Sequence, residues 1–336
     1  MVKKISIIGC GAFGYAISLL LSRTHKDIDI FIYDVNMEYI EGLKNNRKHP
    51  FFYSELIINY NLIPTGNINE CLDGTDIVIM AIPAQLMRKA SESIKDYIPQ
   101  NAIILNLAKA LEDRTNLRMS QVIKEVLNTK NPVASLSGGM IADDVAHGYP
   151  VGAEIGCEND EALHILNKVF KPTTIHVEIT NDIACVEFGG AFKNVISIGA
   201  GIIDGLGLGV SSKSFFIAQS LKEIEKLAII LGSDYKSFHT SSNSWIGDIT
   251  TSCFGDTRNR YFGELIGQGS DYEKAVNILD SQRKHAEGLA TLKVVKELID
   301  KHHIHAPFIN TIYDVVYNKH DARKNFERIS LIQNMV

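Results

Sequence analysis

The sequence predicts an α/β chain, with an N-terminal doubly wound domain built from parallel βαβ units and a mostly α-helical C-terminal domain. Three observations carry that expectation. The first third alternates short β-branched runs with longer helical patterns, as parallel βαβ units do. A glycine-rich hexapeptide joins the first strand-like run to the first helical one. Past about residue 180 the strand-like runs thin out and long apolar-periodic segments replace them. The expected domains are therefore residues 1–180 and 181–336.

The elements follow in order. Ile5 to Ile8 and Ile28 to Tyr33 read as the first two strands. Between them, Ala12 to Ser22 is apolar around most of its circumference, as befits a helix packed onto a sheet. Asp76 to Ala81, Ala102 to Leu107 and Val133 to Leu136 read as further buried strands. In the second half, Ala184 to Ile203, Ser214 to Leu231, Tyr272 to Asp280 and Ala286 to Ile299 have helical periodicity. The apolar stretch from Val195 to Val210 carries Asp204 and several glycines and is too short to span a bilayer, so it reads as a buried helix ending in a glycine-rich turn.

Composition excludes several classes. With 45% hydrophobic and 22% charged residues the chain is an ordinary globular one. A net charge of −5 supplies no basic field for nucleic acid or an anionic membrane. The five cysteines, Cys10, Cys71, Cys157, Cys185 and Cys253, show no paired spacing, which suits a reducing cytoplasm better than a disulfide framework. His302, His303 and His305 lack helical i, i+4 pairing or neighbouring cysteines, so they read as a polar helix end and no metal is expected.

Gly9-Cys10-Gly11-Ala12-Phe13-Gly14 follows a strand and opens a helix. The first glycine allows a tight turn, the second lets a pyrophosphate approach the backbone, and the third lets helix and strand pack closely. Asp34 falls about twenty residues later at the end of the second strand, where a carboxylate accepts from ribose hydroxyls. That context makes the N-terminal domain a Rossmann-type dinucleotide domain. A carboxylate facing a 2′-phosphate adds like-charge repulsion, so NAD is favoured over NADP. Ala12 and Phe13 lie inside the loop and are expected to line the pocket.

In the second half, one lysine, Lys193, stands in the otherwise apolar segment from Glu187 to Gly201. A desolvated lysine exchanges its proton more readily, which suits a catalytic acid/base, whereas a lysine that snorkels to the surface is the plainer alternative.

With these residues in view, the chain resembles the NAD(P)-dependent glycerol-3-phosphate dehydrogenases over nearly its full length. The resemblance rests on the glycine loop, on Lys109-Ala110-Leu111-Glu112, on Gly190-Ala191-Phe192-Lys193-Asn194-Val195, and on the run from Gly247-Asp248 to Thr257-Arg258-Asn259-Arg260. It implies reversible hydride transfer between NADH and dihydroxyacetone phosphate, giving sn-glycerol 3-phosphate, in glycerophospholipid metabolism. It implies that Lys193 is the proton donor and acceptor, that Lys109 contacts substrate beside the nicotinamide, and that Asp248 lies close to both. Arg258 and Asn259 match residues gripping the substrate phosphate and the cofactor edge, with Thr257 as a small hydroxyl residue beside them. Asn194 matches a substrate-bonding residue. Gly138 and Ala142 match the strand-end loop that meets substrate and nicotinamide, and Glu287 matches a cofactor contact.

There are departures from the family pattern. Met140 stands where many members have a small polar residue, Ser211-Ser212 where an asparagine-threonine pair precedes the lysine, and Ala110 where glycine is usual. These leave a second reading open, a dehydrogenase of the same architecture acting on another phosphorylated or carboxylated hydroxy compound. A non-catalytic dinucleotide sensor is a third, disfavoured because it has no need of Lys109, Lys193, Asp248 and Arg258 together. The expected partner is a small phosphorylated substrate, without nucleic acid or membrane insertion, and a homodimer is compatible with the sequence.

Overall fold

The computed structural model describes residues 2–238, 242–282 and 286–329. The chain forms two compact units, residues 1–112 with 117–187, and residues 113–116 with 188–336. The division falls after Glu187, inside the helix Ile183–Gly205.

The first unit is an eight-stranded sheet in the order β3-β2-β1-β4-β5-β6-β7-β8. Its strands are β1 (Lys4–Ile8), β2 (Asp29–Tyr33), β3 (Leu62–Thr65), β4 (Ile77–Met80), β5 (Ile103–Asn106), β6 (Val133–Ser137), β7 (Val151–Cys157) and β8 (Ile175–Thr180). The first six lie in the order of a Rossmann fold, and the chain direction across the sheet reverses between β1 and β4. Parallel register aligns Ile8 with Tyr33 and with Met80, and Met80 with Asn106. The loops after β1, β2, β4 and β5 therefore emerge along one carboxyl edge. Both faces are buried: Ile5, Ile7, Ile30, Ile77, Ile79 and Leu105 join one apolar cluster, while Ile8, Val78, Met80 and Ile104 join the other. Such burial on both faces explains why these strands read as unbroken apolar runs.

Three strands escape the periodicity reading, for identifiable reasons. β3 contains Pro64, tolerated because this is an edge strand. β7 is interrupted by Gly152, Glu154 and Gly156 and runs antiparallel to β6, so the sheet is mixed rather than wholly parallel. β8, at the opposite edge, buries only Ile175 and leaves its other residues partly or fully exposed.

The second unit is helical. The helix Ile183–Gly205 is long and apolar enough to cross a bilayer, but 94% of its most apolar window is buried within the fold. It ends before Gly207, whose φ of +69° makes the turn expected from the glycines. The next helix, Val210–Ile230, starts earlier than its periodicity suggests, so Ser211, Ser212 and Lys213 lie in its first turn. Helices Asp248–Phe254, Arg258–Gly267, Tyr272–Ser281, Gly288–Lys301 and Pro307–Tyr317 complete the core of this unit.

Two of these helices meet without side chains between them. A Cβ at Gly201 or Gly205 would collide with the carbonyl oxygens of Arg260 and Glu264, and one at Gly263 or Gly267 with those of Ile198 and Ile202. The Ile183–Gly205 and Arg258–Gly267 helices thus touch backbone to backbone over two small-residue pairs spaced by four. That contact fixes where the start of the second helix stands relative to the middle of the first.

Candidate active site

In the sheet unit, β1 runs into Gly9, whose φ of +109° only glycine adopts readily. A Cβ there would strike the Ala81 carbonyl after β4, and a Cβ at Gly14 would strike the Gly9 carbonyl. Gly11 differs: an added Cβ meets nothing within 4 Å. It caps the helix Ala12–Thr24, and the amides of Gly11, Ala12 and Phe13 have no acceptor among the described residues. Open space over unpaired first-turn amides is what a pyrophosphate needs. Asp34 lies beside this loop, with Oδ2 accepting from Cys10 N at 2.6 Å and Oδ1 from Asn36 N at 2.8 Å. The residues present therefore fit a dinucleotide.

On the same sheet edge, Asn106 ends β5 and folds the next turn. Its Oδ1 accepts from Ala108 N at 2.9 Å, and its Nδ2 donates to Ala108 O at 3.1 Å and to Ser135 Oγ at 3.2 Å. The turn presents Lys109, whose Nζ donates to Gly138 O at 2.6 Å. Two residues singled out in distant sequence blocks are thereby joined. Gly138 is packed so tightly against β7 that a Cβ would lie 2.6 Å from Ala153 Cα. Ala110 is buried with ordinary negative φ, so the replacement of a glycine causes no backbone strain. Met140 is also buried, its amide closing a turn onto Gly138 O at 2.8 Å. Ala142 opens the short helix Ala142–His147.

In the helical unit, Lys193 Nζ lies 2.7 Å from Asp248 Oδ1 and 2.7 Å from Ser252 Oγ. The lysine side chain is 14% exposed and the aspartate 1%, so this is a nearly buried ion pair rather than a snorkelling lysine. Asp248 begins the helix Asp248–Phe254 directly after a π-helical turn, Asn243–Gly247. Such turns commonly mark functional sites. Ser252 is absent from the sequence-predicted residues. A signal for it exists: four residues beyond Asp248 on a helix, it must share that residue's face.

The other predicted residues gather around the start of the Arg258–Gly267 helix. Asn259 Nδ2 donates to Asn194 Oδ1 at 2.9 Å, and Asn259 Oδ1 accepts from Gly288 N at 3.0 Å, where the helix Gly288–Lys301 begins. Glu287 precedes that helix and is exposed. Thr257 donates from Oγ1 to Ser252 O at 2.7 Å, so its hydroxyl ties down the turn between two helices. Arg258 is exposed and has no hydrogen bond or ion pair among the described residues. Arg260 and Lys213 instead share Asp204, at 3.0 and 2.8 Å. Arg260 is thus engaged, whereas the Arg258 guanidinium meets no carboxylate among the described residues. Among the described residues no three His, Cys, Asp or Glu side chains form a metal-binding group.

Comparison with known proteins covers nearly the whole chain. The model of the NAD-dependent glycerol-3-phosphate dehydrogenase N-terminus matches residues 4–163, and that of the C-terminus matches residues 182–327. A glycerol-3-phosphate dehydrogenase (NAD(P)+) of Fusobacterium nucleatum subsp. nucleatum is 33% identical over 321 residues, 95% of this chain and 94% of the relative. One from Thermoanaerobacter sp. is 34% identical over 316 residues, 94% and 92% of the two chains. The crystal structure of the glycerol-3-phosphate dehydrogenase of Coxiella burnetii superposes with a TM-score of 0.88 at 22% identity, covering 98% of both chains, which shows the shared fold.

Proposed function

The chain belongs to the NAD-dependent glycerol-3-phosphate dehydrogenase family, and from that membership we propose how its own residues interconvert dihydroxyacetone phosphate and glycerol 3-phosphate. It is an NAD-dependent oxidoreductase acting on that pair. The observation that carries the mechanism is the buried cluster of Lys193, Asp248 and Ser252.

When bound, the reduced nicotinamide supplies a hydride to the carbonyl carbon. Lys193 gives a proton to the carbonyl oxygen, which becomes the new hydroxyl, and takes it back in the oxidation. Asp248 and Ser252 hold the ammonium by two 2.7 Å contacts, which orient the proton that is transferred. Lys109, anchored on Gly138 O, offers a second positive charge to the substrate oxygens. Arg258 takes the phosphate, for which a guanidinium supplies two parallel donors. Asn194 and Asn259, bonded to each other, set the rim of the substrate pocket. The glycine loop holds the pyrophosphate, and Asp34 the ribose. A carboxylate there favours NAD over NADP.

Five free, buried cysteines support a reducing, cytoplasmic setting. The test is NADH oxidation with dihydroxyacetone phosphate by the wild type and by Lys193→Ala. A positioned general acid contributes about 10² to 10⁴-fold, so turnover should fall by at least that factor while NADH still binds. Near-normal turnover in the variant would make Lys193 structural.

A further inference from the structure

An imidazole lies directly beneath the glycine loop and takes no part in the chemistry above. His49 is fully buried, within 5.0 Å of the Tyr15, Tyr39 and Phe52 rings. Its Nδ1 accepts from two backbone amides, Phe51 N and Phe52 N, both at 3.1 Å. A nitrogen facing two N–H donors carries no proton of its own, so Nε2 bears the hydrogen. Nε2 sits 3.1 Å from Cys10 O, and the bond therefore runs from His49 to the glycine loop. Burial lowers the basicity of the ring, which keeps it in this neutral form.

The bonded carbonyl belongs to the Cys10–Gly11 peptide. That peptide is trans, so its C=O and its N–H point in opposite directions. The loop is also tied at Gly9 N, which donates to Tyr33 O at 2.8 Å, and at Cys10 N, which donates to Asp34. From Gly11 onward its amides are unpaired among the described residues. We propose that His49 is a positioning residue for the cofactor: by holding the Cys10 carbonyl it sets the rotation of the Cys10–Gly11 peptide and aims the Gly11 N–H at the pyrophosphate. This rests on the glycine loop being the dinucleotide site.

Two variants separate this role from simple support of the 49–52 turn. A glutamine amide nitrogen reaches to where Nε2 lies, so His49→Gln keeps the donor to Cys10 O. An asparagine oxygen matches Nδ1, so His49→Asn keeps the acceptor for Phe51 and Phe52 and loses the donor. Dissociation constants for NADH and ADP-ribose should rise about tenfold in His49→Asn, the worth of one net hydrogen bond. In His49→Gln they should stay within about threefold of wild type. Turnover at saturating NADH and KM for dihydroxyacetone phosphate should change in neither. Unchanged NADH binding in His49→Asn, or equal loss in both variants, overturns the proposal. Nitrogen-15 NMR of the wild type gives a second measurement that needs no variant, and a proton on Nδ1 overturns it as well. Gly11→Val keeps the two failures distinguishable. An added Cβ there meets nothing within 4 Å, and undiminished NADH binding in this variant, its fold checked by its melting midpoint, would remove the site assignment itself rather than the role of His49.

Discussion

Arg258 carries the clearest expectation for a single residue, because it has no partner among the described residues while Arg260 is held by Gly255 O and Asp204. A hydrogen bond to a charged group is worth about 1.5 to 3 kcal/mol, and each 1.36 kcal/mol is about tenfold in rate. Arg258→Ala should therefore lower kcat/KM for dihydroxyacetone phosphate by about tenfold to a hundredfold and leave unphosphorylated dihydroxyacetone nearly unaffected. Equal loss with both substrates would assign the arginine to the cofactor or the fold. Single residues were unevenly legible in the sequence. The roles proposed for the glycines and Asp34 come from their position in a motif, and those proposed for Lys109 and Lys193 from the family resemblance. Ser252 and His49 act through partners far away in sequence, Lys193 and Cys10, and only the fold brings those partners together.

Two elements make testable claims of their own. The glycine crossing predicts that Gly263→Ala, whose Cβ would strike Ile198 O, forces the two helices apart. Overpacking of this kind costs about 1 to 3 kcal/mol, and each kcal/mol lowers the melting midpoint by about 2–4 °C in a domain of this size. Activity should fall too, since Arg258 and Asn259 start the displaced helix. Gly209→Ala is the control: its Cβ meets nothing within 4 Å, and it should be nearly neutral. The helix Pro307–Tyr317 is capped by buried Glu223, which accepts from Phe308 N at 3.0 Å and Ile309 N at 2.9 Å. Burial pushes this carboxyl up to about 7 despite those bonds. A folded value above the unfolded one, about 4.3, gives stability that is complete below the unfolded value and lost as pH rises through the folded one. The wild-type midpoint minus that of Glu223→Gln should therefore fall between about pH 4 and pH 7.5 and then level off. A difference that grows with pH contradicts the assignment. Strand periodicity revealed the fully buried strands and missed Pro64-containing β3 and glycine-interrupted β7, because periodicity registers burial and cannot see a hydrogen-bonding partner.

At the scale of the whole molecule, each unit has a core of its own, and all five thiols are free and buried. Thiol labelling thus reports opening of the fold. Cys10, Cys71, Cys157 and Cys185 watch the sheet unit, and Cys253 watches the helical one. With NADH at about a hundred times its dissociation constant, binding stabilises the sheet unit by about 2.7 kcal/mol. Labelling of Cys10 should slow by about a hundredfold, and an unchanged rate would show that NADH does not bind the folded sheet unit. The crossing of the two glycine-bearing helices bears on inheritance as well. Their offset is set by main-chain atoms, which every amino acid shares, so changes in surrounding side chains have little hold on it. Most of the surrounding side chains can therefore be replaced while the main-chain offset that places Asn259 and Arg258 beside Asn194 is kept. Mutation reaches that arrangement most directly through Gly201, Gly205, Gly263 and Gly267, where a single methyl group is enough.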